Sequence, residues 1–256
     1  MDGSIASILL LDGLTNGAVY ALLALATVLV FTVTRVIFIP QGEFVAFGAL
    51  TLAILQTGKI PGTVWLLLIL AGVAALGDMR AAWLRHRQPL PVLKAGLRTL
   101  AFPAAVSLLT IWFAPMGLPL LAQAALTMAL VTPFGPLIYR LAYQSQADAP
   151  VLTLLIISVG VHFAMTGLGL LFFGAEGFRN PAFWDLRLSL GAISLTGQTI
   201  IIGVTLLVLI AMLWLFFEHT LYGKALRATA VNRLGARLLG ISSRSAGGWS
   251  FACASF

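Results

Sequence analysis

The sequence predicts an all-α, polytopic transmembrane bundle, with about seven spans plus the start of an eighth and the N-terminus outside. Of its 256 residues 60% are hydrophobic and only 9% are charged, which leaves too little polar surface to hydrate a soluble domain. Several apolar runs reach the roughly 20 residues that cross a bilayer as a helix, and none shows the alternation of barrel strands. The cations fall mainly in alternate connections, as the preference of Lys and Arg for cytoplasmic loops requires.

Read in order, the apolar runs place helices near Ile5–Thr34, Glu43–Gln56, Pro61–Gly77, Thr99–Ala114, Leu118–Tyr139, Pro150–Gly174 and Thr199–Phe217, and an eighth begins near Ala246. The first is too long for a signal-peptide core and Met1 to Ser4 carry no cation, so no cleaved signal is expected. The second and fourth runs are short, as half-helices buried in protein would be. Pro103, Pro133 and Pro136 lie inside runs, where each removes a backbone donor and predicts a kink. With this parity the inside connections carry Arg35, then Arg80, Arg85, Arg87, Lys94 and Arg98, then Arg140, then Lys224, Arg227, Arg233, Arg237 and Arg244. These are 12 of the 15 basic residues. Residues 78–98 form a basic cytoplasmic loop on this reading, and the excess charge marks the inner face of a membrane protein, with no nucleic-acid partner.

Polar residues inside apolar runs are costly in hydrocarbon and therefore candidates for function. Pro40 and Gly42 interrupt the chain before Glu43, which opens the second helix. Glu43 is read either as a capping acid at the membrane surface, favoured by the helix dipole, or as part of a translocation path. Thr15 and Asn16 lie beside Gly13 and Gly17, four residues apart, and serve either close helix packing or solute contact. His162 is mid-span with no carboxylate at helical spacing, and a neutral imidazole bonded to a facing backbone or Ser group is the simpler reading. Cys253 is the sole cysteine, so no internal disulfide or thiolate cluster is expected. No metal site, cofactor, phosphate-binding loop, GxSxG or HExxH is present, and catalysis is not expected.

Leu221 to Ile241 is a basic, helix-forming island in this apolar chain. Leu226, Ala230, Leu234 and Leu238 recur at i+4 among Lys224, Arg227, Arg233, Arg237 and Arg244, which predicts one amphipathic helix from Lys224 to Leu239 with Gly223 before it and Gly240 as its stop. Such a helix either rests on anionic lipid or docks in the groove of a soluble subunit.

The segments GLTNGAVYALLALATVLVFTVTRVIFIPQGEFVAFGAL and LYGKALRATAVNRLGARLLGI resemble the branched-chain amino-acid ABC transporter permeases of the LivH type. The stretch from Tyr139 to Gly174 is similar more loosely. In the first segment Pro40-Gln41 stands where the family more often has Ala-His. The resemblance implies a single importer permease domain over residues 1–256 in a bacterial inner membrane. It also implies a second permease subunit, alike or different, cytoplasmic ATPase subunits that hydrolyse ATP, and a periplasmic binding protein that delivers a small solute. Residues 218–244 would be the ATPase-docking loop, with Gly223, Lys224, Leu226, Arg227, Ala230, Arg233, Leu234, Arg237, Leu238 and Gly240 at the contact. Thr15, Asn16, Gln41, Gly42, Glu43 and His162 would lie near the path. Branched-chain amino acids are the implied solute. Urea and short amides are the alternative within the family, and a non-ABC secondary transporter or scaffold is the alternative outside it. Gly77 to Gly117 reads as an added hairpin, and the chain stops at Phe256 where the family continues, as a truncated member would.

Overall fold

The computed structural model describes residues 3–86, 89–184, 187–190 and 193–256; Arg87, counted among the inside cations, lies outside them. Its helices are α1 (Gly3–Thr34), α2 (Gln41–Gln56), α3 (Gly62–His86), α4 (Pro89–Phe113), α5 (Leu120–Val131), α6 (Phe134–Ile138), α7 (Val151–Phe173), α8 (Gly197–His219), α9 (Leu221–Val231), α10 (Arg233–Leu238) and α11 (Ser243–Ser255). The protein is a multi-pass helical membrane protein. Among the described residues six segments are long and apolar enough to cross a bilayer: Leu9–Thr34, Gly62–Leu84, Leu90–Met116, Leu120–Gln146, Val151–Phe173 and Gly197–His219. The expected second span, α2, has 16 residues and falls below a full crossing.

Four expectations are corrected. Within the expected basic loop at 78–98, residues 78–86 and 89–98 are helical, because Ala, Leu and Arg continue α3 and α4 past the strongly apolar stretch. The short fourth helix becomes 25 residues, with Pro103 accommodated inside it. A two-stranded antiparallel hairpin, β1 (Arg187–Leu190) and β2 (Ile193–Thr196), precedes α8; its short alternation was hidden among longer apolar runs. The last helix starts at Ser243, where the Ser242 side chain accepts from the Ser245 amide. The proline expectation holds at 133 and 136. The run from Leu118 divides into α5, α6, one π-turn at Tyr139–Tyr143 and a 3-10 turn at Gln144–Gln146, as the lost donors require.

The core lies where α2, α3, α5, α6 and α11 meet. Val36, Phe38, Phe44, Phe47, Leu67, Leu130, Phe134, Tyr143 and Phe251 are buried there. Packing is tight at Gly135, where a Cβ would collide with the Phe251 carbonyl, and at Gly247, where it would collide with the Tyr139 ring. By contrast no residue in the apolar stretch of α8 is buried, and its exposed face is a surface that only lipid or protein can cover.

Candidate functional site

Between α1 and α2 six residues leave helical geometry, and their placement fixes the site. Arg35 takes a left-handed backbone, φ 62°, which ends α1, while the Thr34 hydroxyl accepts from the Val36 amide at 3.3 Å. Non-helical backbone at membrane depth must be buried in protein or line an aqueous cavity. Val36 and Phe38 are accordingly buried. Phe38 packs edge-on against Phe251, centroids 4.8 Å apart, and against Tyr143 at 6.1 Å. Tyr143 is held by a hydrogen bond of 3.0 Å between its hydroxyl and that of Ser158 on α7.

α2 therefore starts inside the bundle. Its first turn brings Glu43 Oε1 to 2.9 Å from His162 Nδ1, an ion-pair distance set off the line of a straight hydrogen bond. The Thr166 hydroxyl lies 3.2 Å from the same oxygen and 3.0 Å from the His162 carbonyl, so its single proton is shared between these two acceptors. His162 is the middle residue of the 23-residue α7, about 16 Å from either end at 1.5 Å per residue. One end of α7 follows Ala147–Asp148, which contact the basic segment; the other packs against Gly62 at the start of α3, where a Cβ would meet Phe172. Glu43 thus stands beside the midpoint of α7, one of the candidate spans, and away from either of its ends. His162 has a carboxylate partner after all, supplied from a different helix and invisible to helical spacing. Thr166 was missed; its position one turn after His162 was the available signal.

The other path candidates do not join this cluster. Gln41 turns to the opposite side of α2, is buried, and donates to the Ala254 carbonyl of α11 at 2.7 Å. Gly42 has open space at its Cβ position. Thr15 bonds back to the Leu11 carbonyl at 2.8 Å, Asn16 is exposed, and nothing in the described chain approaches Gly13 or Gly17 within 4 Å. Close packing at these glycines is therefore not made by another described helix of this chain.

The basic island is two helices. Asn232 leaves helical geometry at φ −147°, and its side-chain oxygen accepts from the Gly235 amide at 2.9 Å to start α10. The expected i+4 stripe is broken there. Leu226 is buried with Val33 and Ala246, whereas Leu234 and Leu238 are 69% and 82% exposed. Gly223 is structural, since a Cβ would collide with the Phe216 carbonyl and crowd Phe217 at the α8–α9 corner, which the Thr220 hydroxyl caps. Gly240, φ 84°, ends α10 as expected, and the Ile241 amide reaches back to the Ala236 carbonyl at 3.0 Å.

Three arginines expected at a partner surface are engaged within the chain. Arg227 pairs with Glu218 at 2.8 Å. Arg233 donates to the Ala147 carbonyl at 3.0 Å, and Arg237 bonds Asp148 at 2.6 Å and Ser243 at 2.7 Å. The Arg237 hydrogen bond holds the Asp148 carboxyl below its ordinary value. Arg233, Arg237 and Asp148 line, with Arg35, a small polar cavity of about 330 Å³. Lys224 is exposed without an ion pair among the described residues, and Leu221, Val231, Leu234, Leu238 and Leu239 are exposed apolar side chains of the same segment.

A family model described as branched-chain amino acid transport system / permease component matches residues 96–256. That region runs from inside α4 through α11 and includes the α7 half of the Glu43–His162 pair and the whole basic segment. No curated protein and no solved structure matches the chain. The match spans more than half of the sequence, and the chain belongs to this permease family, as a transport subunit.

Proposed function

We propose that the chain is the permease subunit of a binding-protein-dependent ABC importer for branched-chain amino acids, forms half of a translocation path, and takes its energy from a separate ATPase. It sits in the bacterial inner membrane with its N-terminus outside and α9–α10 in the cytoplasm. The observation that carries the reading is the Glu43–His162–Thr166 cluster: a carboxylate beside the midpoint of a candidate span is retained in a membrane protein for ion or solute traffic, and the N-terminus of an interrupted helix beside it adds a directed dipole. A zwitterionic solute offers an ammonium to Glu43, which a neutral amide does not.

Coupling follows from the chain path. α10 touches Ala147–Asp148, where α7 begins, and shares the polar cavity with Arg35, where the non-helical segment begins. Both routes end at the cluster, on His162 and on Glu43. A partner that displaces α9–α10 pulls on both members of the pair at once.

The test is uptake into proteoliposomes that hold the permease pair, ATPase and binding protein. ATP-driven uptake of leucine, falling at least tenfold in Glu43→Gln while assembly and ATPase association persist, is the expected result. Uptake of urea in place of leucine would move the solute to the amide class. Full leucine transport by Glu43→Gln would remove the cluster from the path.

A further inference from the structure

Between the α3–α4 hairpin and the α6–α11 pair lies a cleft of about 950 Å³, separate from the Glu43–His162 cluster. We propose that it binds an anionic phospholipid, with the phosphate on Arg98 and the acyl chains along Phe102 and Leu137.

The level of the cleft is set by one polar knot. Arg140 pairs with Asp78 and donates to the Thr99 hydroxyl at 3.2 Å, and Thr99 in turn donates to Asp78. Beyond this knot the hairpin turns basic: Arg80, Lys94 and Arg98 are all exposed. Before it the walls are apolar. Asp78 and Thr99 lie inside the candidate spans Gly62–Leu84 and Leu90–Met116, toward the basic end of the hairpin, a level to which an arginine can draw a lipid phosphate.

Charge selects the ligand. Asp78 is the one carboxylate lining the cleft and is consumed by Arg140, whereas Arg98 lines it with no acidic partner among the described residues. A guanidinium left free over an apolar cleft matches a phosphate diester with chains below it. Trp249, on the opposite wall and 42% exposed, adds the amphipathic indole that favours the headgroup level. The occupant must be a membrane component, because the hairpin face beside the cleft presents Leu93, Leu97 and Phe102 outward. The volume lies within the range of small-molecule sites, enough for a headgroup and the upper part of its chains.

The experiment is native mass spectrometry of the full chain released from detergent with equal amounts of phosphatidylglycerol and phosphatidylcholine. The wild type should retain phosphatidylglycerol preferentially. Arg98→Gln should lower that preference roughly fivefold, the loss of one cation near a headgroup, while Arg80→Gln, which removes the same charge outside the cleft, should leave most of it. Inorganic phosphate at millimolar concentration should not displace the lipid. Equal retention of both lipids by the wild type, no effect of Arg98→Gln, equal effects of both variants, or displacement by phosphate alone would each overturn the proposal. The readout involves neither ATPase nor solute, so it stands or fails independently of transport.

Discussion

Replacing Leu238 by Ser separates two accounts of how α9–α10 would meet the ATPase proposed above. Charge alone would assign the contact to Arg227, Arg233 and Arg237, yet each is bonded inside the chain, and a partner would have to break those bonds to use them. Leu238 is 82% exposed. Burying a whole leucine side chain is worth about 1.5–3 kcal/mol, so covering the exposed part contributes about 1.2–2.5 kcal/mol, or roughly an eight- to sixty-fold change in Kd. The same substitution removes no contact that buries Leu238 within the chain and should change stability by less than about 0.5 kcal/mol. The assay is titration of the cognate ATPase onto the permease in lipid nanodiscs, with Arg227→Gln in parallel. The reasoning predicts a large loss for Leu238→Ser and a small one for Arg227→Gln, since the latter breaks an exposed pair of the kind worth under about 1 kcal/mol. Unchanged affinity for Leu238→Ser with loss for Arg227→Gln would refute it.

Gly135→Ala drives a methyl into the Phe251 carbonyl and should cost about 1–3 kcal/mol, read as a lower Tm in detergent; Gly160→Ala on α7, with open space at its Cβ position, should be neutral or slightly stabilising. The Asp148–Arg237 bond should weaken in acid. Because the folded carboxyl lies below its unfolded value, its contribution is complete above the unfolded value near 4 and is lost as pH falls through the folded one. Protease nicking within α9–α10 should therefore rise below about pH 4 in the wild type, and Asp148→Asn should nick at neutral pH as the wild type does in acid. Gly223→Ala should open the α8–α9 corner by forcing a side chain against Phe216 and Phe217, lowering both Tm and ATPase association.

The spans were legible because hydrocarbon imposes one simple demand, a run of apolar residues, and α1, α7 and α8 satisfy it without interruption. Their ends were not, because the strongly apolar stretch stops at Gly77 while helix propensity continues to His86: composition changes there, and backbone geometry does not. Asn232 gave a readable signal, a good capping residue with a glycine three positions on. The wheel pattern masked it, since apolar residues at i+4 continue in register across the break.

Depth was the quantity the chain order concealed. Pro40-Gln41-Gly42-Glu43 reads as a turn followed by a helix start, and a turn between two apolar helices belongs by default at the membrane surface. The structure places that start at the midpoint of α7, because Phe38 is anchored to Phe251 and Tyr143, residues more than 100 positions away in sequence. Gln41 and Glu43 stand two positions apart, so on a helix they face different ways, and only contacts with distant elements decide that Gln41 packs on α11 while Glu43 meets His162. A pair made by two residues 119 positions apart leaves no local pattern. What the sequence does hold is its cost: each member alone is an uncompensated polar group in an apolar run, and such groups persist when each is the other's compensation. Glu43→Gln should therefore leave His162 without its carboxylate partner, and His162→Gln should leave Glu43 without its imidazole. If the pair acts as one unit, the double substitution should impair transport no more than the worse single one, whereas independent roles would make the two losses multiply.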